Sequence, residues 1–536
     1  MKSMKKAVVL LAVVLMLAVS LLPVNLFAES FQGVTVQGVS VDENNDDYLR
    51  VEGNKILDVY GNEVFLTGIA WFGYETPNEC FHGLWSQNME LIIDRVADCG
   101  FNLLRIPLSV QMVNQWRNGI FTVSPAVNIY ENPGLEGKNT LEVLDAVIAQ
   151  CKLKGIKVML DMHRVVNGYQ TNTWYTGSYT DKDFEECWKW LATHYKNDDT
   201  VIAMDLFNEP HGKPFLGDGA KWDSSTDKNN WKYAAERVGK AVLDINPNLL
   251  LVVEGVEVYP KEGYDYTAVD HAGQPSKYYY NWWGGNLRGV KEHPVKPEGY
   301  EGKVVYSPHD YGPSVWQQPW FYPGFNKDTL YKDVWGPNWF YIHENNLGPV
   351  LVGEWGGKLE VGDTLTWLSS LAEFIDEKQI HHTFWCVNPN SADTAGILLD
   401  DWDTVDIEKY NLVKPTLWQN SAGKFIGLDH RIPLGNNGIT VSEYYSANPQ
   451  PTPATTPPPT TSPQVIQGDV NGDGVVNSTD LTLMKRYVIG IINDFPVEND
   501  LIIADVSGDK VINSTDYTLM KRYILNIIKE FPAAKL

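Results

Sequence analysis

The stretch Val201-Ile-Ala-Met-Asp-Leu-Phe-Asn208-Glu209-Pro210 is mostly apolar and then ends in an amide, a carboxylate and a proline. A short apolar run of this kind is typical of a strand that is buried on both faces of a parallel sheet. Similar runs recur between about residues 45 and 430, separated by longer amphipathic stretches. The runs are Val64–Phe72, Asn102–Leu108, Ile156–His163, Val201–Asn208, Leu249–Glu254, Val304–His309, Val350–Glu354 and His382–Asn388.

Eight buried strands that alternate with helices predict an α/β protein with a (β/α)8 TIM barrel and long loops. A doubly wound open sheet is the structural alternative, but no Gly-x-Gly-x-x-Gly sequence follows the first run. Enzymes with the barrel fold carry their chemistry at the carboxyl ends of the strands. Nearly every run ends in polar or aromatic side chains: Trp71, Phe72, Arg105, His163, Asn208, Glu209, Glu254, His309, Tyr311, Glu354 and Trp385.

Two carboxylates stand out among these residues. Glu209 follows the fourth run and Glu354 ends the seventh, so a barrel places them on opposite sides of its mouth. Hydrolysis of a glycosidic bond needs such a pair, one to protonate the leaving oxygen and one to attack the sugar or to activate water. Glu254 is a third carboxylate, which we interpret as a sugar or loop contact rather than a catalyst.

Residues of about 45–430 resemble a family 5 glycoside hydrolase of clan A, close to the bacterial endo-β-1,4-glucanases of that family. Besides the two glutamates, the resemblance is carried by Trp71-Phe-Gly-Tyr-Glu75, His82-Gly-Leu-Trp85, Asn102-Leu-Leu-Arg105-Ile-Pro, Trp282-Trp283-Gly-Gly-Asn and Ser307-Pro-His309-Asp-Tyr311. It implies that Glu209 is the acid/base and Glu354 the nucleophile of a retaining double displacement. It also implies a substrate-binding set of Arg105, His163, Asn208, His309, Tyr311, Trp385 and Trp71.

The physical roles of these residues follow from their chemistry. A cationic Arg105 close to Glu354 would lower the pKa of that carboxyl, whereas Glu209 would need a raised pKa to hold its proton. Asn208 is placed to bind the sugar 2-hydroxyl, and Tyr311 to orient Glu354. We expect the two histidines to hydrogen-bond sugar or carboxylate and Trp385 to be the stacking platform.

Three interpretations remain open at this stage. The first, a retaining endo-β-1,4-glucanase, requires the two carboxyl carbons to lie about 5–5.5 Å apart, and a gap of about 7 Å or more would contradict it. Family 5 also contains mannanases, xyloglucanases and xylanases, which share the catalytic pair. A catalytically inactive carbohydrate-binding subunit is the third alternative, and the presence of Asn208, Glu209 and Glu354 argues against it. We expect no metal to take part in the reaction.

The last part of the chain contains a duplicated loop and helix. The loop that begins at Asp469 is repeated 36 residues later at Asp505. Both loops carry oxygen-bearing side chains at positions 1, 3, 5, 9 and 12 and a backbone carbonyl at position 7, which is the shell that Ca²⁺ prefers. The predicted ligands are Asp469, Asn471, Asp473, Val475, Asn477 and Asp480, then Asp505, Ser507, Asp509, Val511, Asn513 and Asp516.

This duplicated segment resembles a type I dockerin. The resemblance implies a cohesin module of a scaffolding protein as the partner, and two docking orientations related by a pseudo-two-fold axis. The implied contacts are Ser478, Thr479, Lys485 and Arg486, or their equivalents Ser514, Thr515, Lys521 and Arg522. Lys510 stands where Gly474 makes the sharp turn of the first loop. A non-glycine residue with positive φ costs about 1 kcal/mol, so we predict weaker Ca²⁺ binding at the second site.

These patterns divide the chain into four predicted segments. Residues 1–28 have early lysines, an apolar run and a small-residue exit, which predicts a secretory signal peptide; a retained anchor is the alternative. Residues 45–430 are the predicted catalytic domain. The Pro/Thr-rich residues 446–466 predict a semi-rigid linker, and residues 467–536 the dockerin. We therefore expect a secreted, extracellular protein held in a cell-surface or released cellulosome.

Composition and charge restrict the partners and sites that this protein can have. The 536 residues carry a net charge of −24, which makes nucleic acid an unsuitable partner. The 19 Trp and 27 Tyr suit sugar faces as well as a large aromatic core. Five scattered cysteines indicate neither a zinc site nor a disulfide framework and are interpreted as mostly buried apolar residues. We expect no membrane span in the mature protein and a monomer outside its complex.

Overall fold

The computed structural model describes residues 35–36, 39–40, 46–448, 466–471, 475–492, 494–495, 503–525 and 527–532. The chain divides into two compact units, residues 1–449 and 450–536. The segment assigned to a signal peptide and most of the segment assigned to a linker lie outside the described residues. Those assignments and the proposed domain boundaries therefore stay predictions.

The first unit is built on eight parallel strands. They are β1 (Thr67–Ala70), β2 (Leu103–Ser109), β3 (Lys157–Arg164), β4 (Val201–Asp205), β5 (Leu250–Glu254), β6 (Val304–Ser307), β7 (Leu351–Val352) and β8 (His381–Phe384). Neighbours pair in the order β6-β5-β4-β3-β2-β1-β8-β7. Parallel bridges from Tyr306 to Val350 and from His309 to Glu354 join β6 to β7 and close the barrel. The predicted barrel is confirmed, and the open-sheet alternative is wrong.

Helices cover the outside of this barrel. The structure has α1 (Met89–Asp98), α2 (Val110–Arg117), α3 (Thr140–Leu153), α4 (Asp181–His194), α5 (Trp231–Leu243), α6 (Lys327–Leu330), α7 (Tyr341–Glu344), α8 (Thr364–Lys378), α9 (Ile407–Val413) and α10 (Val441–Ala447). A π-helix, Tyr331–Phe340, joins α6 to α7. Short 3-10 helices span Pro133–Leu135, Pro214–Leu216, Arg288–Lys291 and Lys414–Thr416. Capping boxes at Asn139 and Thr180 fix where α3 and α4 begin, because each side chain satisfies a free backbone N–H.

The connection from β5 to β6 departs from the regular pattern. Its residues, all of them described, form a 3-10 helix and an antiparallel hairpin of Val258–Pro260 with Tyr278–Tyr280, but no α-helix. Frequent glycine and proline in this segment disfavour a long helix. Smaller hairpins pair Thr35–Val36 with Val39–Ser40, Arg50–Glu52 with Lys55–Leu57, and Gly212–Lys213 with Asp218–Gly219.

The amino-terminal end of the barrel is filled with apolar side chains. Residues near the starts of several strands pack there against residues that precede β1 and residues that follow α9. The cluster includes Leu49, Ile56, Leu103, Met159, Ile202, Leu250, Val305, Leu351, Trp418, Ile426 and Val441. This packing excludes water from that end. A substrate must therefore enter from the carboxyl ends of the strands.

A buried network of charged side chains includes the first residue of β3. Lys157, at the start of β3, places Nζ 2.5 Å from Asp47 Oδ2 and 2.9 Å from Asp429 Oδ2. His430 Nδ1 lies 2.7 Å from Asp47 Oδ1, and its Nε2 lies 3.3 Å from Asp58 Oδ2. Burial opposes a charge on the imidazole, but the hydrogen bonds and charges of the two aspartates outweigh it and raise the pKa of His430 to about 9.

The second unit repeats one arrangement twice. Its helices α11 (Ser478–Val488) and α12 (Ser514–Ile524) pack together around buried Met484 and Met520. The Tyr487 ring stacks 4.7 Å from Phe495, as Tyr523 does 4.5 Å from Phe531. The sequence duplication is thus also a structural one. Across the described residues of both units, the helices are too short or too polar to cross a membrane.

The His430 network makes stability depend on pH. Because folding raises the pKa of His430 from 6.5 to about 9, its stabilisation is complete below pH 6.5 and is lost as pH rises through about 9. We expect His430→Gln to lower the free energy of unfolding by roughly 1 to 3 kcal/mol at pH 6 and by much less at pH 10. Denaturant melts at both pH values measure this. His271→Gln, at an exposed loop position, is the control, and a loss independent of pH would contradict the prediction.

Candidate active site

Glu209 and Glu354 face each other at the open end of the barrel. His309 lies between them, with Nδ1 3.2 Å from Glu209 Oε1 and 3.5 Å from Glu354 Oε2. One oxygen of each carboxylate and a ring nitrogen of His309 all lie within 4.8 Å of one another. The Glu209 side chain is 17% exposed and that of Glu354 4%. Both predicted catalytic residues thus reach one site, with Glu209 the more accessible from solvent.

Glu354 is held as an anion. Arg105 Nη1 donates to its Oε1 over 2.5 Å, and the Tyr311 hydroxyl donates to its Oε2, also over 2.5 Å. Burial would raise the pKa of Glu354, but the charges of His309 and Arg105 outweigh burial and lower it. The two expected partners of Glu354 are therefore in place.

Glu209 differs from what the sequence led us to expect. Burial would raise its pKa, but the hydrogen bond and the charge of His309 outweigh burial and lower it. Burial also acts against a charge on His309, and the charges of Glu254 and Glu354 overcome this and raise the pKa of His309 well above its usual value. The two directions favour a proton on the imidazole over one on Glu209, so the prediction of a raised pKa for Glu209 is wrong.

Arg105 joins several strand ends below the site. Besides Glu354 it contacts Asp161 at 3.1 Å, Asp205 at 2.9 Å and Glu254 at 3.4 Å. All of these side chains are buried. Burial raises the pKa of Asp161 and of Asp205 to about 7. The charge of Arg105 is thus shared among carboxylates from β3, β4 and β5 and the carboxylate that follows β7.

Several side chains that the sequence placed on the substrate are enclosed by protein. Arg105, His309, Trp71 and Glu254 each have 0% exposure and contact other side chains or the backbone. The Trp71 ring packs 4.3 Å from Phe81, and its Nε1 donates to the His82 carbonyl. Trp71 packs in the core, whereas the other three contact the catalytic residues, so His309 makes the expected carboxylate contact and Glu254 the expected loop contact. Direct contact of Arg105, His309 and Trp71 with a sugar stays a prediction.

Three predicted substrate contacts do lie at the mouth. Asn208 Oδ1 accepts from Arg105 Nη2 at 3.0 Å, while its Nδ2 has no hydrogen-bond partner among the described residues and is free to donate. His163 Nδ1 lies 2.7 Å from Asp161 Oδ2. The partly exposed Trp385 ring stacks on His163 at 5.3 Å. Asn208 thus keeps an unused donor next to Arg105, and Trp385 presents a partly exposed flat ring.

The residues that support these groups carry no catalytic motif and were not predicted as site residues. Asp161 and Asp205 are charged residues inside apolar runs, and that anomaly could have identified them. Phe72 stacks under Trp385 with ring centroids 5.5 Å apart and planes 7° apart. Asn388 holds the backbone of Phe72 through two hydrogen bonds of 3.1 Å. No local signal predicts this last contact, because it joins residues that are 316 positions apart.

The second predicted calcium loop has the donors that Ca²⁺ requires. Carboxylate oxygens of Asp505, Asp509 and Asp516 all lie within 4.8 Å of one another. The side chain of Asp505 accepts from backbone N–H groups of the loop, which orders the turn. Lys510 has φ +69°, the left-handed conformation that the sequence predicted there. The oxygens of Asp505, Asp509 and Asp516, together with those of Ser507, Val511 and Asn513, fit a bound calcium ion.

The first loop follows the same pattern where it is described. Asp480 Oδ1 accepts from Asn471 N–H, as Asp516 Oδ1 accepts from Ser507 N–H in the second loop. Asn477 caps α11, and Asp469 and Val475 belong to the described residues, whereas Asp473 lies outside them. The predicted cohesin contacts are all exposed: Ser478, Thr479, Lys485, Arg486, Ser514, Thr515, Lys521 and Arg522. The five cysteines of the first unit are buried and free, as interpreted.

Comparison with known proteins agrees with this geometry. The family Cellulase (glycosyl hydrolase family 5) matches residues 57–391, and the dockerin type I domain matches residues 467–525. Endoglucanase G of Acetivibrio thermocellus is 47% identical over 84% of this chain and 86% of that protein. Endoglucanase B of the same organism is 41% identical over 85% and 88%. The solved structure of a hyperthermophilic endocellulase from the archaeon Pyrococcus horikoshii aligns over 70% of this chain and 100% of its own, with TM-score 0.62 and 33% identity.

Tyr311 offers a test of the electrostatics around Glu354. Tyr311→Phe removes a hydrogen bond to a buried carboxylate, which is worth about 1.5 to 3 kcal/mol, so we expect kcat on a soluble β-1,4-glucan to fall roughly 10- to 100-fold. The lost bond favoured the charged form, so the acidic limb of the pH profile should move up by about one unit. Tyr306→Phe removes a buried hydroxyl that accepts from Val295 N–H and is the control. An unchanged acidic limb would contradict the role of Tyr311.

Proposed function

Because the chain belongs to glycosyl hydrolase family 5 and carries a type I dockerin domain, we propose that it is a cellulosomal endo-β-1,4-glucanase that cleaves internal bonds of cellulose with retention. The observation that carries the proposal is the short separation of Glu209 and Glu354, with oxygens within 4.8 Å across the barrel mouth. Oxygens this close, both facing the same His309 ring nitrogen, favour direct attack by one carboxylate, because an inverting pair holds its two carboxyl groups roughly 6.5–9.5 Å apart to admit a water.

In the first step Glu354 attacks the anomeric carbon while Glu209 protonates the leaving oxygen. Arg105 and Tyr311 keep Glu354 ionised and fixed in direction. The proton that rests on His309 in the free protein has to reach Glu209 before the bond breaks. Direct transfer is short, because His309 Nδ1 lies 3.2 Å from Glu209 Oε1. The products are a glycosyl ester on Glu354 and a neutral sugar that leaves.

In the second step Glu209, now a carboxylate, takes a proton from a water that attacks the anomeric carbon and releases Glu354. Asn208 is placed to hydrogen-bond the sugar 2-hydroxyl through its amide, a type of contact that strengthens in the transition state. Trp385 supports the apolar face of the sugar next to the cleaved bond, and Phe72 holds it from behind. A mannanase, xyloglucanase or xylanase would use the same pair, so the substrate test must include those glycans.

Alanine variants of the two glutamates separate their roles. We expect Glu354→Ala to lose roughly 10⁴-fold or more of the activity on carboxymethyl-cellulose, because the nucleophile is gone. Glu209→Ala should lose roughly 10²- to 10⁴-fold on carboxymethyl-cellulose, because the leaving oxygen is no longer protonated. With 2,4-dinitrophenyl β-cellobioside, whose phenol leaves without an acid, added azide should restore the turnover of this variant and yield a glycosyl azide, because a small anion attacks the glycosyl-enzyme without needing a base. Reducing-sugar assays and mass spectrometry measure this, with Glu408→Ala, exposed on α9, as the control.

Two outcomes would contradict the assignment. If Glu354→Ala kept most of its activity, Glu354 would not be the nucleophile. If the wild type cleaved mannan, xyloglucan or xylan far better than carboxymethyl-cellulose, the mechanism would stand but the substrate would change.

We also propose that the second unit binds a cohesin in a Ca²⁺-dependent manner and that the protein acts outside the cell. The exposed residues Ser478, Thr479, Lys485 and Arg486 on α11 have equivalents at the same positions of α12. Because the two helices present the same side chains, either one could face the partner, which supports two docking orientations. Ca²⁺ would hold each loop against the start of its helix. The protein is proposed to be a monomer outside this complex.

The two calcium sites should differ in affinity. The positive φ of Lys510 is unfavourable for a residue with a Cβ, so Lys510→Gly should tighten the weaker site about fivefold, corresponding to about 1 kcal/mol. Lys510→Gln removes the charge but keeps the Cβ, and it therefore isolates the contribution of the charge. Calorimetry of the full chain measures both. Two equal sites in the wild type, or identical gains for Gly and Gln, would contradict the prediction.

A further inference from the structure

The backbone of Glu209 is held in an unusual conformation. Its φ is +53°, in the left-handed region that residues with a side chain rarely adopt. Both of its peptide groups are fixed by side chains. The Glu209 N–H donates to Glu254 Oε2 at 2.7 Å, and the Glu209 carbonyl lies 2.6 Å from His211 Nδ1. These contacts determine where the Glu209 carboxylate points.

Glu254 also contacts the imidazole that faces both catalytic glutamates. Its second oxygen, Oε1, lies 3.1 Å from His309 Nε2 and 3.4 Å from Arg105 Nη2. The side chain is completely buried, so no sugar reaches it. A single carboxylate thus connects the backbone of one catalytic residue to the ring nitrogen of its proton partner. Trp231 Nε1 donates to the Glu254 carbonyl at 2.9 Å and fixes the end of β5.

A glycine makes room for this carboxylate. Gly284 has φ +68°, and a Cβ at that position would lie 2.2 Å from Glu254 Oε2 and 3.4 Å from Glu209 Cα. Any larger residue would displace the Glu254 oxygen that binds the Glu209 N–H. The Gly284 carbonyl accepts from Gly255 N–H at 2.7 Å, so the glycine backbone cannot easily move away.

We propose that Glu254 is a positioning residue for acid catalysis, which fixes the Glu209 backbone and directs the His309 Nδ1–H at Glu209, in a pocket that Gly284 keeps open. The proposal rests on the proposed function, since it assigns Glu254 to the proton-transfer half of that reaction. A carboxylate suits both tasks: one oxygen accepts the backbone N–H of Glu209, and the other places a negative charge 3.1 Å from His309 Nε2.

A neutral amide cannot do both. In Glu254→Gln one end of the side chain still accepts, but the other is an NH₂ group, which opposes either the backbone N–H or His309 Nε2–H. If the NH₂ faces His309, the imidazole must present Nε2 as an acceptor and cannot carry a positive charge. The charged or titratable groups that surround Glu254 and contribute to the pH response are Arg105, Asp161, Asp205, Glu209, His309 and Glu354.

Two substrates distinguish a defect in acid catalysis from a general loss. A polysaccharide needs its leaving oxygen protonated, whereas 2,4-dinitrophenyl β-cellobioside loses an acidic phenol that leaves without help. We expect Glu254→Gln to lower kcat/KM on carboxymethyl-cellulose about 10- to 100-fold, mainly through kcat, and on the dinitrophenyl substrate by less than about threefold. Glu257→Gln is the matched control, because Glu257 also accepts a backbone N–H, from Gly212 at 2.9 Å.

A second pair of variants tests the same contact without removing a charge. Gly284→Ala pushes a Cβ into the Glu254 oxygen, whereas Gly263→Ala adds a Cβ at a similar φ of +84° with nothing within 4 Å. The expected result is that Gly284→Ala reproduces the substrate-selective loss and that Gly263→Ala does not. This pair decides the question if Glu254→Gln fails to fold, which thermal melts of each variant would show.

Equal losses on both substrates, or no loss on either, would overturn the proposal, because a merely structural role does not depend on the leaving group. Failure of this proposal can be told apart from failure of the proposed function. If the wild type cleaved neither substrate, both the glucanase assignment and this inference would be wrong. If the wild type cleaved both and the variants showed no selectivity, only the inference would fall.

Discussion

The site depends on one buried cation. Arg105, with no exposed surface, contacts the carboxylates of Asp161, Asp205, Glu254 and Glu354, which come from β3, β4, β5 and the residues after β7. Burying a charge costs several kcal/mol unless it is paired and hydrogen-bonded, and here one guanidinium supplies bonds in several directions. Removal of any one partner leaves another charge uncompensated. The carboxyl ends of the barrel strands are therefore held together electrostatically as well as by their backbone ladder.

The excess of carboxylates around Arg105 explains why the His309 imidazole holds a proton. One guanidinium cannot balance every anion in the pocket, so the imidazole holds a proton between Glu209, Glu254 and Glu354 despite its burial. That proton lies one hydrogen bond from Glu209. The same arrangement keeps Glu354 ionised, because both cations face it. Glu354 thus stays ionised as the nucleophile, whereas Glu209 can receive a proton from His309 and act as the acid. A retaining mechanism requires this difference.

Much of this could be predicted from the sequence. The eight apolar runs identified the strands, because buried parallel strands need apolar residues on both faces, and their ends identified Glu209 and Glu354. The direction of each side chain could not be predicted. Trp71 and Phe72 are neighbours, but one packs in the core and the other supports Trp385, since successive side chains of an extended segment point to opposite faces. The lowered pKa of Glu209 depends on a distance to His309, 100 residues away, that no local pattern contains.

The stereochemistry of the first product tests the central claim most directly. ¹H NMR during hydrolysis of a cello-oligosaccharide in deuterated water reports the anomer released before mutarotation. The close approach of Glu209 and Glu354 predicts that the β-anomer appears first and the α-anomer only later, as mutarotation proceeds. An α-anomer at the earliest times would mean that a water attacks directly, and the assignment of Glu354 as the nucleophile would then be wrong.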